Sequence, residues 1–174
     1  GYLDFQWEFS VEDIIKRDKN LYKSGDYSGA IKDFDKVIEI NPTIKDVYYH
    51  RGICKQELKD YTGAIKDLDN AIEINPKNED AYFSRGFSKT QLEDYSGAIK
   101  DYDNAIEINP RDGLLYFSRG LCKDCLKDYS GAIKDLDKAI EIDPNNEVVY
   151  YFRGRCKHEL EDYSGAIKDL DKAI

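Results

Sequence analysis

Cys122-Lys123-Asp124-Cys125 is a C-x-x-C, the spacing used by thiol redox sites and by half of a zinc site. Cys156 and His158 follow downstream and complete a set of four possible ligands. Ligation would require these groups to share a direction, to meet at tetrahedral distances and to leave Cys122 exposed. The pair falls inside a stretch patterned as helix, where a free cysteine also serves as a compact apolar group. The expectation is therefore no metal and no cofactor. His50 and His158 are the only histidines, and no motif pairs either with a nucleophile. Asp33, Asp67, Asp101, Asp135 and Asp169 recur at a fixed interval, which ties them to a repeat rather than to one acid/base pair. No glycine-rich phosphate loop is present. With no catalytic residue to assign, the chain reads as a non-enzyme. A second periodic row, Arg17, Arg51, Arg85, Arg119 and Arg153, could grip carboxylates or phosphates. Ion pairing to Asp or Glu within the stack is the favoured role, with the stems packed and the heads neutralised internally.

The elements that must position these groups follow from a strict period. Prolines stand only at Pro42, Pro76, Pro110 and Pro144, a constant spacing of 34 residues that marks a helical array. Between prolines lie two helical stretches, as in 45–58 and 61–74, with Leu58-Lys59-Asp60 as the turn between them. Asp26, Asp60, Asp94, Asp128 and Asp162 precede the second stretch, where a carboxylate accepts a free amide proton. Tyr61, Ala64, Ile65, Leu68, Ala71 and Ile72 form one apolar stripe at steps of three and four. Gly52, Gly86, Gly120 and Gly154 in the first helices invite close approach by Ala64, Ala98, Ala132 and Ala166. One helix pair cannot bury both faces, so successive pairs must stack.

Composition bounds the partners. The 174 residues carry a net charge of −9, which repels phosphate backbones and argues against nucleic acid. No segment is long and apolar enough for membrane insertion, so a soluble protein is expected. The four cysteines do not read as a disulfide framework, which favours a reducing, cytoplasmic setting. No methionine occurs, so Gly1 is not a translation start and the sequence is read as a processed or trimmed piece.

The recurring first-helix tyrosines (Tyr48, Tyr82, Tyr116, Tyr150), followed in phase by Gly52, Tyr61, Ala64, Leu68, Ala71 and Pro76, resemble the tetratricopeptide repeat family. The resemblance covers residues 11–174, read as repeats 11–44, 45–78, 79–112, 113–146 and a truncated 147–174, with an aromatic segment at 1–10. It implies an all-α fold, a right-handed superhelical solenoid of antiparallel helix pairs, and noncatalytic binding of a protein or peptide partner. Three features depart from the family pattern. Asp18 and Asn20 replace small residues in the first repeat, the arginine row occupies a slot more often aliphatic, and Gly29, Gly63, Gly97, Gly131 and Gly165 stand where Glu would close a capping box. Ile174 falls before the next expected proline, which leaves apolar surface open on the fifth repeat.

The repeated phrase SGAIKDLDKAIEI is the second helix, so the first helices carry what differs. By the resemblance, the concave groove is lined by two first-helix rows: Ile15, Tyr49, Phe83, Phe117 and Tyr151, then Lys19, Ile53, Phe87, Leu121 and Arg155. Two readings stand, an apolar groove for a polypeptide segment or packing between adjacent first helices. The clamp by which some family members in heat-shock cochaperones grip carboxylate tails is not preserved: its slots hold Ile15, Lys19, His50, Asp80 and Ser84. In the N-terminal segment, Leu3, Phe5, Trp7 and Phe9 alternate with polar residues, the period of an extended strand. It reads as a local cap on the first repeat or as a self-association arm that joins copies into a homo-oligomer.

Overall fold

In a computed structural model the residues described are 25–44 and 46–173, which fall into two compact units divided between Pro76 and Lys77. The first unit holds α1 (Tyr27–Ile40), α2 (Val47–Glu57) and α3 (Tyr61–Ile74). The second holds α4 (Glu79–Gln91), α5 (Tyr95–Ile108), α6 (Gly113–Cys125), α7 (Tyr129–Ile142), α8 (Glu147–Glu159) and α9 (Tyr163–Leu170). Ile15, Lys19 and the arm residues Leu3, Phe5, Trp7 and Phe9 lie outside the described residues.

The four helix pairs from α2 onward close through a short link of the same geometry. The amide of Asp60 donates to the Lys55 carbonyl and that of Lys59 to the Gln56 carbonyl, both at 2.8 Å, which is a Schellman closure. That closure needs a left-handed residue, and Lys59, Glu93, Lys127 and Glu161 supply it at φ of 62° to 63°. Only the first repeat places a glycine in this slot, Gly25 at φ 76°. Asp60 then caps α3, its carboxylate accepting from the Gly63 amide at 2.9 Å. The same bond recurs at Asp26, Asp94, Asp128 and Asp162. It explains the glycine three residues on: a Cβ at Gly131 would stand 2.1 Å from the Asp128 Oδ2 atom. In this geometry a side chain at that position requires the cap carboxylate to shift.

The apolar stripes meet as their spacing predicts. In the first unit Ala30, Phe34, Val37, Val47 and Cys54 make one buried cluster. In the second, Tyr116, Ala132, Leu136, Ala139, Val149 and Cys156 make another, and Ala98, Tyr102 and Cys122 a third. Close approach is tightest at Gly86, where an added Cβ would come 2.9 Å from the Tyr102 ring. Tyr102 stands in the slot of Leu68, Leu136 and Leu170, with Phe34 in the first copy. Its hydroxyl lies 3.4 Å from Thr90 Oγ1, and burial pushes its pKa up to about 12.

Candidate functional site

Two kinds of first-helix position need separate treatment: slots that are constant between copies and slots that vary. The constant arginines are spent inside the stack. Arg119 donates from Nε and Nη2 to Asp135 at 2.9 and 2.5 Å, and from Nη1 to Asp103 at 2.6 Å. Lys123 adds a second cation 2.8 Å from Asp135. Asp135 belongs to the same helix pair as Arg119, whereas Asp103 belongs to the preceding one, so one guanidinium ties two repeats together. Arg153 repeats the pattern on Asp169 and Asp137 in the second unit, and Arg51 on Asp67 and Asp35 in the first.

The tyrosines complete each joint. The Arg119 guanidinium lies over the Tyr116 ring at 5.6 Å, and the Tyr116 hydroxyl donates to the Pro110 carbonyl of the preceding repeat at 3.3 Å. The Asp135 bonds, with Asp103 in support, hold Arg119 above its ordinary pKa against burial, which works the other way. Burial alone would raise the Asp169 carboxyl, yet hydrogen bonds from Arg153 and Lys157 outweigh it and leave the pKa lowered. These carboxylates are structural anchors.

The C-x-x-C does not converge. Cys122 is buried with its sulfur 3.3 Å from Thr90 Oγ1, and Cys156 is buried with its sulfur 3.4 Å from Asp124 Oδ1. Burial raises the pKa of both thiols. His158 packs edge-on against Tyr163 at 5.3 Å. Among the described residues no group of three or more His, Cys, Asp or Glu is placed to hold a metal ion. Cys125 alone of the four cysteines is exposed.

The proposed groove residues divide by depth. In the first unit Tyr49 and Ile53 of α2 are half-buried, Tyr49 edge-on to His50 at 5.3 Å. In the second, Phe83 is half-buried 5.9 Å from the Tyr102 ring and Phe117 half-buried 5.6 Å from Phe152 of the next first helix. Leu121 is half-buried as well, and Arg155 is exposed. Phe87 and Tyr151 stay 40% and 49% exposed. So the row partly packs first helix on first helix and partly faces outward.

Within the second unit, the ends of three first helices enclose an open cavity of about 410 Å3. The end of α4 and its turn contribute Thr90, Gln91 and Glu93, and α5 begins beside them with Tyr95. From α6 come Leu121, Asp124 and Cys125, and from α8 Phe152 and Arg155. Arg155 pairs with the buried Asp124 through Nη2 and lies 5.0 Å over the Phe152 ring. Tyr95 and Cys125 both line the cavity, and negative charge on Cys125 would hold the Tyr95 pKa up. Sequence reasoning named Leu121 and Arg155 for the groove and Cys125 as a possible ligand, but missed the others. The signal was available: the slot of Gln56, Thr90, Asp124 and His158 changes in every one of these copies, and that of Glu57, Gln91, Cys125 and Glu159 in all but one pair, where neighbouring slots repeat.

A family model described as tetratricopeptide repeat matches residues 46–78, 79–112 and 114–146, and a second of the same description matches 20–44 and 148–174. The chain belongs to the tetratricopeptide repeat family. Among solved structures it is similar to MamA, at 22% identity over 95% of this chain and 93% of that one, with a TM-score of 0.87. MamA from Desulfovibrio magneticus RS-1, residue 41 to its end, matches at 19% identity over 92% and 90%, again with a TM-score of 0.87. YrrB, titled a TPR protein with an unusual peptide-binding site, matches at 23% identity over 95% and 85%, with a TM-score of 0.84. At these identities the likeness is one of fold, the all-α solenoid class that the repeat pattern predicts. A search of curated proteins returned no match.

Proposed function

We propose that the chain is a noncatalytic interaction scaffold that holds a polypeptide segment against its first helices. The observation that carries this reading is the exposure of Phe87 and Tyr151, 40% and 49%, on slots that vary between copies. The constant slots carry the ion-pair joints, while these two rings keep much of their apolar surface toward solvent. The family's common use as a protein-binding module supports the same reading. The net charge of −9 disfavours nucleic acid, and among the described residues no helix is long and apolar enough to cross a membrane. Four free thiols agree with a cytoplasmic setting.

Magnitudes limit the affinity. Three anchors buried at about 2 kcal/mol each give about 6 kcal/mol gross, while ordering about six ligand residues costs about 1 kcal/mol apiece. The two nearly cancel, so weak to moderate binding is expected unless the segment is long or preordered. The test is selection from a random-peptide display library against the chain and against a Phe87→Ala, Tyr151→Ala variant. Enrichment lost in the variant, with its unfolding midpoint unchanged, supports the groove. Enrichment that survives places binding elsewhere, and no enrichment refutes the reading.

Self-association is the second reading, favoured by Tyr163 and Ile167 of α9, which are 55% and 60% exposed. Their counterparts Tyr129 and Ile133 in α7 are half-buried against the adjacent cluster. Light scattering of the chain and of a form lacking residues 1–9 separates the cases. Monomers in both exclude assembly, and an oligomer that dissociates on deletion assigns it to the aromatic arm of Leu3, Phe5, Trp7 and Phe9.

A further inference from the structure

We infer that the cavity at the ends of α4, α6 and α8 is a subsite for a basic side chain, arginine above all, carried by the polypeptide in the groove. The inference rests on the groove reading and adds the chemistry of one anchor. Its first support is a charge count. Glu93 and Asp124 bring two carboxylates to the cavity against the single guanidinium of Arg155, and that guanidinium is already committed to Asp124. Glu93 has no basic partner among the described residues, and its carboxylate stands at the exposed rim. Direction comes from the backbone: α4 ends at Gln91 and α6 at Cys125, so the negative ends of both helix dipoles meet at this cavity. The walls suit a long side chain, with Leu121 and Phe152 along the stem and the Tyr95 ring near the entrance.

Arg155 itself shows the mode of recognition. It lies flat over Phe152 at 5.0 Å while its Nη2 reaches a buried carboxylate, the arrangement a ligand guanidinium would adopt against the aromatic wall and Glu93. An anionic side chain would have to displace Asp124 from Arg155 and face Glu93 as well. A neutral apolar chain would leave Glu93 unused. Thr90 and Asp124, and Leu121 and Arg155, sit on slots that differ between copies, whereas the arginine joints sit on slots that do not.

Cys125 gives the site its own reporter, being the one exposed cysteine and a lining residue. The experiment measures thiol labelling of Cys125 by two methanethiosulfonates, one bearing a trimethylammonium and one a sulfonate, resolved by mass of the Cys125 peptide. The cationic-to-anionic rate ratio in the folded chain should exceed that of the urea-unfolded chain by about tenfold. Glu93→Gln should lower the ratio more than Glu107→Gln, which removes the same charge from an exposed site on α5 outside the cavity. A second arm alkylates Cys125 with iodoacetamide in the presence of acetyl-Leu-Arg-Leu-amide or its citrulline counterpart. Protection by the arginine peptide alone supports the subsite. Equal protection by both keeps the groove and overturns the basic anchor. A folded ratio no higher than the unfolded one, or protection by neither peptide, also overturns the subsite, and the fate of the groove is then read from the Phe87 and Tyr151 selection.

Discussion

Arg119 stands sixteen residues after Asp103 and sixteen before Asp135, and it bonds to both. The symmetry of that spacing makes the arginine a two-sided joint whose halves differ in worth. Asp135 is nearly buried, so Arg119→Met leaves it with Lys123 alone and should cost about 3 kcal/mol. Asp103 is about half exposed, and Asp103→Asn should cost at most about 1 kcal/mol. Urea unfolding of both variants checks the order. Equal losses would mean that the two carboxylates are not distinguished by burial.

The caps offer a test by coupling. Gly131→Ala improves helix propensity by about 1 kcal/mol but forces Asp128 off the Gly131 amide, a loss of about 1 kcal/mol. The single change should therefore be neutral or destabilising. In an Asp128→Ala background the same change should stabilise by about 1 kcal/mol, because nothing remains to displace. A Gly131→Ala effect of the same size in both backgrounds would separate the glycine from the cap.

Lys127 holds a left-handed conformation at φ 63° in a slot where the first repeat has Gly25. Lys127→Gly should raise stability by about 0.5–1 kcal/mol, since the Cβ penalty of that region is removed. Thermal melting reports it directly. A lower melting temperature would show that the Lys127 side chain holds the turn through contacts.

Acid should loosen the joints. The folded-state pKa of Asp169 is lowered, so its contribution is complete above the unfolded carboxylate value of about 3.9 and is lost as pH falls through the lower folded value. Unfolding free energy measured from pH 6 to pH 2 should decline in that window. Asp169→Asn should be less stable at pH 6 and should show a shallower decline. An identical slope in the variant would assign the acid sensitivity to other carboxylates.

The helix pairs, their caps and the role of small residues were legible because a period of 34 repeats every local signal several times. Asp60 as a cap and Gly52 as a close-approach point follow from local chemistry, and the structure places both so. The internal pairing of the arginines was legible as a type of contact. Its two partners were not, because a separation of sixteen residues becomes a contact only once the two helices of a pair pack together, for Asp135, or one pair stacks on the next, for Asp103. The left-handed turn escaped notice since Lys59 and Glu93 are poor formers of that conformation and only Gly25 gives it away. The cavity was the least legible. Asp124 reads as one more surface carboxylate until Arg155 and Cys156, more than thirty residues later, are brought onto it.

Arg51, Arg119 and Arg153 each take one carboxylate from behind and one from ahead at the same interval, so one copy with this pattern can succeed another. Removing residues 113–146 would set Arg153 sixteen residues after Asp103, with Asp169 still ahead of it. Gene segments encoding whole copies can therefore be lost or duplicated by unequal recombination with the sixteen-residue interval of the arginine joints kept, while an insertion of one residue between an arginine and its aspartate breaks the interval of that pair. The same deletion erases Leu121, Asp124 and Cys125. Recombination between copies thus changes array length and cavity lining together, whereas point substitution within one copy changes the lining and keeps the length.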